Sequence, residues 1–240
     1  MSRIAVVAAL EREVHPLVKG WRVSDREYAE RRFRFFENED VVLVCGGMGA
    51  EAARRAAEAV ISLYSPVVIY SAGFAGALDP ELKVGHVVQP ARVVNVGDGS
   101  SVRMGTGEGV LVSFGAVASP AQKAKLRNSF EAQAVDMEAA SVARAAEARG
   151  VRFAAVKAIS DEFDFTFPSL ERFVDSDGRF LEGRFALFAA LRPWLWPQVV
   201  RLALNSRRAA HALCDRLSSI ETRQSSFSTG SVKGEVFKHR

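Results

Sequence analysis

The chain is poor in cysteine, with two residues in 240, Cys45 and Cys214. One lies in a Val-rich run and the other in a helical pattern, so no disulfide framework is implied and a reducing cytoplasm is the expected compartment. No apolar run reaches the roughly 18–20 residues that span a bilayer. The apolar opening at 3–10 is short and is followed by charges, which reads as a first core strand and not a signal peptide. The four histidines, His15, His86, His211 and His239, share no metal-ligand spacing with one another or with the cysteines. No metal site is expected, and structural or surface roles are the default for all four. A Gly-x-Ser-x-Gly elbow, a Walker loop and internal repeats are missing. Charge excess is small too, at +4. It is uneven, since residues 184–217 carry six Arg against one Asp while the body is mildly acidic. Nucleic-acid binding calls for a larger basic excess with interleaved aromatics. A solvated helix face is the expectation for the basic quarter, with contact to an acidic lipid surface as the alternative.

What is present is an ordinary globular composition, 48% apolar and 25% charged, in a length sufficient for one large domain. Strand-like runs at 3–10, 41–45, 67–71, 87–96, 110–114 and 151–159 alternate with helical patterns at 11–19, 50–64, 120–128, 136–149, 181–191 and 198–217. Residues 32–37 and 41–45 read as a hairpin, and Pro90 interrupts 87–96. Continuous Val/Ile runs between helices predict a mixed or mostly parallel sheet covered on both faces. The domain is expected over 1–220, with 221–240 a disordered polar tail and 104–109 a mobile loop.

Three acidic signals stand out: Glu11-Arg12-Glu13 and Ser160-Asp161 follow apolar runs, and Met137-Glu138 opens an Ala-rich helical pattern. Open α/β sheets place their chemistry just past strand ends. Taken singly, Glu13 reads as a helix-dipole partner, Asp161 as an N-cap and Glu138 as a surface acid. Together they form a pattern. Two Gly-rich segments, Gly46-Gly47-Met48-Gly49 and Ser71-Ala72-Gly73-Phe74-Ala75-Gly76, read as turns lining one crevice; the first lacks the G-x-G-x-x-G spacing of a dinucleotide site.

These segments, with Ala9-Leu10-Glu11-Arg12-Glu13-Val14, Leu82-Lys83-Val84-Gly85-His86-Val87-Val88, Val135-Asp136-Met137-Glu138-Ala139 and Ala158-Ile159-Ser160-Asp161, resemble the nucleoside phosphorylase/nucleosidase superfamily. Within it, the resemblance is to the methylthioadenosine/S-adenosylhomocysteine nucleosidases. It implies an α/β fold, a three-layer α/β/α sandwich with a central mixed, mostly parallel sheet. The implied reaction is cleavage of the N-glycosidic bond between a purine and a ribose. Asp161 would protonate purine N7 as general acid, and Glu13 would orient or activate the attacking water. Met137 and Glu138 would hold the ribose. Gly73, Phe74, Val117, Ser160 and Phe163 would complete the substrate site, and Gly47, Met48 and Gly49 a phosphate or water site. The resemblance implies a nucleoside as partner, a homo-oligomer, and no metal or organic cofactor. Whether water or inorganic phosphate attacks C1′ stays open.

There are departures. Phe74 stands where these nucleosidases often carry a small polar residue, the segment Phe114-Gly115-Ala116-Val117-Ala118-Ser119 lacks the aromatic that the resemblance leads one to expect near 117, and the arginine-bearing loop of bacterial purine nucleoside phosphorylases is missing. Arg12, Arg54 and Arg55 are the remaining candidates for phosphate. The C-terminal third resembles the hopanoid-associated phosphorylases, which are proposed to remove adenine from adenosylhopane. On that reading Phe163, Phe165, Phe167, Trp194 and Trp196 would line an apolar route, or else serve as core and lid residues, and Trp194 and Trp196 with nearby arginines would touch the membrane. A compact-substrate nucleosidase and a non-catalytic nucleoside binder are the alternatives.

Overall fold

The first strand, β1 (Ile4–Ala8), is buried throughout, yet alternate side chains point to opposite faces. Ile4, Val6 and Ala8 pack with Val14 and Leu17 of α1 (Glu11–Val18) and with Leu213 and Leu217 of α6 (Trp196–Thr229). Ala5 and Val7 pack with Ala53 and Val60 of α2 (Ala50–Tyr64) and with Val142 and Ala146 of α4 (Ala139–Glu147). Helices therefore cover both faces and the molecule has three layers, as expected. Burying a side chain such as Leu213 in this way contributes about 1.5–3 kcal/mol. The computed structural model describes residues 3–165, 173, 175, 178 and 180–229.

The other elements are β2 (Arg22–Tyr28), β3 (Arg31–Asn38), β4 (Val41–Cys45), β5 (Val68–Ala77), β6 (Val87–Val88), β7 (Arg92–Asn95), β8 (Ser101–Arg103), β9 (Val110–Ser113), α3 (Pro120–Phe130), β10 (Ala134–Asp136), β11 (Arg152–Asp161) and α5 (Glu182–Ala190). The sheet is mixed. β4, β1, β5 and β11 lie side by side and parallel. Antiparallel pairs are β2 with β3, β3 with β4, β7 with β8, β6 with β11 and, inside the sheet, β10 with β5. β5 is the hub, since it pairs with β1, β11 and β10.

Three readings of the sequence change. The Gly73–Gly76 segment is not a turn, because β5 continues to Ala77 with β11 paired alongside it. β2 escapes sequence reading because it is largely exposed and carries no apolar alternation. The last helix starts at Trp196 and runs to Thr229, into the stretch expected to be disordered. Residues 230–240 and Phe167 lie outside the described residues.

No helix among the described residues is long and apolar enough to cross a membrane. Leu187, Leu191, Trp194, Trp196, Val200 and Leu204 are nonetheless exposed. Trp196 Nε1 donates to the Ala189 carbonyl at 3.0 Å, which ties the start of α6 to α5.

Candidate active site

The carboxyl ends of β5 and β11 build one half of the site. Their register shifts between Ile159 and Asp161, so that Ile159 faces Ala75 and Asp161 faces Gly76. Bulges of this kind re-aim a side chain. Asp161 Oδ1 accepts from Ser160 Oγ at 2.9 Å, and Oδ2 accepts from Lys123 Nζ at 2.5 Å. Gly76 makes room for this pair, because a Cβ there would stand 2.8 Å from Asp161 Oδ2 and 3.3 Å from Lys123 Cε.

The other half is a buried acid cluster. Glu13, in the first turn of α1, is 5% exposed. Gly73 lies against it at φ 149°, and a Cβ there would come within 2.9 Å of Glu13 Oε2. Burial foremost, and then the Glu138 carboxylate, push Glu13 up to about 7. Glu138 is shifted upward as well, by burial first and then by Asp136, against the pull of Lys157. It accepts the Gly49 N–H at 2.8 Å and the Met137 N–H at 3.2 Å. Asp136 takes the Lys157 ammonium at 2.8 Å, Ser113 Oγ at 2.6 Å and the Ala139 N–H at 2.8 Å. Burial alone would lower Lys157, but Asp136 and Glu138 outweigh it and the net direction is up. One buried ammonium thus faces Asp136, Glu138 and Glu13, and this shortfall of positive charge, with burial, raises the proton affinity of Glu13 and Glu138.

Both halves open into one cavity of about 1490 Å³, above the roughly 300–1,000 Å³ of most small-molecule sites. Glu13, Met137, Glu138, Ser160 and Asp161 share its wall with Phe74 and Val117. Further wall comes from Phe165, Phe180, Phe185, Val199, Leu202 and Ala203.

A family model described as the phosphorylase superfamily matches residues 3–115 and 104–190, more than half of the chain. The chain belongs to the phosphorylase superfamily. A 5′-methylthioadenosine/S-adenosylhomocysteine nucleosidase of Marinomonas sp. (strain MWYL1) is 35% identical over 40% of this chain and 42% of its own length. An aminodeoxyfutalosine nucleosidase of Campylobacter jejuni is 25% identical over 69% of this chain and 90% of its own length. Among solved structures, the Helicobacter pylori 5′-methylthioadenosine/S-adenosylhomocysteine nucleosidase with butyl-thio-DADMe-Immucillin-A superimposes with a TM-score of 0.69 at 17% identity, covering 93% of this chain and 99% of that one. The futalosine hydrolase of the same species gives 0.68 at 17% identity, over 92% and 98%. These two likenesses establish the shared fold. The relatives are nucleosidases, and this chain is a nucleosidase-like enzyme of the superfamily.

In this superfamily member most of the expected residues converge on the cavity. Others sit differently. Gly73 supports Glu13 from below and does not line the wall, and Phe163 is half-buried off it while Phe165 lines it. The Gly46–Gly49 turn presents no free anion site. The Gly47 N–H goes to the Ala9 carbonyl, the Met48 N–H to the Gly178 carbonyl, and the Gly49 N–H, at the start of α2, to Glu138. The helix N-terminus, which attracts anions, is filled by the protein's own carboxylate. Met48 alone of the three lines the cavity. Arg54 and Arg55 are bound up with Glu51 and Glu58 on α2, whereas Arg12 lies 4.7 Å over the Phe180 ring at the wall. Trp194 and Trp196 stand outside the wall, while His15 and His211, read as unremarkable, are on it. The sequence reading missed Lys123, Asp136 and Lys157. A lysine inside the apolar run Ala154-Ala155-Val156-Lys157-Ala158-Ile159 was the available signal, since lysine is almost never buried without a partner.

Proposed function

We propose that the protein hydrolyses the N-glycosidic bond of an adenine nucleoside whose 5′ position carries a bulky apolar group, of which adenosylhopane is the type. The observation that carries this reading is the single cavity joining Glu13, Met137, Glu138 and Asp161 to a wall of Phe and aliphatic side chains. Asp161 gives a proton to N7, so that the base departs neutral; positioned acids contribute about 10²–10⁴-fold. Glu13, poised near neutrality, takes the proton of the water that attacks C1′. Glu138 accepts from the ribose hydroxyls and stabilises the oxocarbenium-like transition state, and Met137 packs against the sugar. Water is favoured over phosphate as nucleophile, because the backbone donors of the Gly-rich turn are spent and a phosphate dianion would meet the Glu13 and Glu138 carboxylates.

The test is adenine release from adenosine, methylthioadenosine, S-adenosylhomocysteine and adenosines with long 5′-alkyl or polycyclic substituents, with and without phosphate. The expected result is phosphate-independent release, with kcat/KM about tenfold or more higher for the bulky apolar series; burying two or three methylenes supplies that much. A preference confined to methylthioadenosine would return the function to that of the Marinomonas relative's name, and the apolar wall would be packing. Phosphate dependence would remove the water assignment. Binding without any base release would make the protein a nucleoside binder.

The same reading places exposed Leu191, Trp194, Trp196 and Val200, with Arg192 and Arg201 nearby, against an anionic lipid surface. A Trp194→Ser/Trp196→Ser variant is expected to lose co-sedimentation with phosphatidylglycerol vesicles while hydrolysing soluble nucleosides normally. Equal sedimentation of variant and parent would end that part of the reading.

A further inference from the structure

Lys123 has no place in the reaction as described so far, yet it touches the general acid. It is the second-turn residue of α3, a helix started by Ser119, whose Oγ accepts the Gln122 N–H at 3.4 Å while its own N–H donates to Gln122 Oε1 at 2.8 Å, with Pro120 at the first position. The Lys123 N–H then donates to the Ser119 carbonyl at 2.8 Å, which fixes the side chain's point of departure. Lys123 and Leu126 are the buried residues of this helix. A helix that turns a lysine inward needs a compensating anion. The ammonium donates to Asp161 Oδ2 at 2.5 Å and to the Glu162 carbonyl at 2.7 Å, is 1% exposed, and borders the cavity. Two contacts from one fixed ammonium, on consecutive residues of one strand end, set the carboxyl plane of Asp161 as well as its charge.

We propose that Lys123 is a positioning residue for acid catalysis. It holds Oδ2 and so turns the Oδ1 side, braced by Ser160, toward the purine. It also stabilises the carboxylate that Asp161 becomes as it gives its proton away. In the step, the C1′–N9 electron pair moves into the purine, the proton leaves the Asp161 carboxyl for N7, and Asp161 is left as an anion against an ammonium that keeps its three protons. Charge is created on Asp161 in the transition state beside a preorganised cation, and removal of such a partner lowers kcat by about 10²–10³-fold. This inference rests on the reading of Asp161 as the acid.

Leaving-group dependence tests it. Lys123→Met and Lys123→Gln are compared with the parent on an adenine nucleoside and on the 4-nitrophenyl riboside with the same 5′ substituent, whose phenolate departs without a proton. Each variant is expected to lose about 100-fold in kcat on the adenine nucleoside, with KM within about threefold, and less than about fivefold on the nitrophenyl riboside. The ratio of the two rates within one preparation cancels the folded fraction, so partial unfolding of either variant leaves the outcome readable. Equal losses on both substrates, or none on either, would overturn the proposal. Asp161→Asn separates the two readings. If it fails to discriminate between the leaving groups, the acid assignment falls. If it discriminates and the Lys123 variants do not, only the role of Lys123 falls.

Discussion

Glu13→Gln is expected to abolish turnover and at the same time raise the melting temperature at pH 8. On the proposed mechanism the activity loss follows from removing the base that receives the water proton, which we expect to lower kcat by about 10³-fold, within the range of acid–base contributions. The stability gain follows from burial. The fold holds Glu13 at about 7 against an ordinary 4.5, so the folded protein binds this proton more tightly than the unfolded chain. The stability associated with the protonated form is fully present below about 4.5, declines as pH rises, and is lost above about 7. At pH 8 the parent carries an ionised carboxylate in an unfavourable place, at a cost of about 3 kcal/mol, and glutamine removes it. For a chain of this size that corresponds to about 5–10 °C. The gain shrinks toward pH 5, where Glu13 is already neutral. Calorimetry of both proteins at pH 5 and pH 8 checks the sign, and kcat/KM of the parent should climb through pH 7 as the base ionises. A variant less stable at pH 8 would show that the ionised carboxylate is held comfortably, and one with full activity would take Glu13 out of the chemistry.

Asp161→Asn is expected to have the opposite effect on stability with a similar effect on rate. Adenine release should fall about 10²–10⁴-fold because N7 no longer receives a proton. Asparagine also leaves the Lys123 ammonium, 2% exposed in its side chain, without its anion. The pair is buried on the lysine side only, with the Asp161 side chain 23% exposed, so the loss is expected below the roughly 3–5 kcal/mol of a fully buried pair broken from one side. Adding Lys123→Gln to Asp161→Asn should restore most of that stability and none of the activity, a non-additivity that a double-mutant cycle in urea would measure. If Asp161→Asn is as stable as the parent, the ammonium has found water or another partner and the pair is not the buried unit described above. Normal turnover in the single variant would remove the acid.

These two variants bear on how far the sequence could be read. The core strands were legible because Ile4–Ala8, Val41–Cys45 and the run before Asp161 are apolar on both faces, the mark of a sheet covered on both sides. The acids were legible, Glu13 and Asp161 past apolar runs and Glu138 at the start of an Ala-rich helical pattern. The glycines of β5 misled, because glycine marks turns and also marks close approach, and here Gly73 and Gly76 admit the Glu13 and Asp161 carboxylates against an unbroken strand. The cations were missed for a related reason. Lys123 and Lys157 look like surface residues unless the partner carboxylate, distant in sequence, is known to arrive from another element. Pairing across 38 or 21 positions of chain is a property of the topology and leaves no local trace. The Gly-rich turn resembled an anion site, and it is one, but its occupant is Glu138.

The last helix divides its labour along its length. Its later turns, with Ala209, Leu213 and Leu217, sit in the core, whereas its first turns contribute Val199, Leu202 and Ala203 to the cavity and leave Val200 and Leu204 in solvent. Substitutions in those first turns change the shape of the wall while the core and the acids stay untouched. The scaffold is therefore evolvable in a modular way. On the proposed reading, drift over a few residues of one helix would exchange the group accepted at the sugar's far side and leave the acids that break the glycosidic bond unchanged.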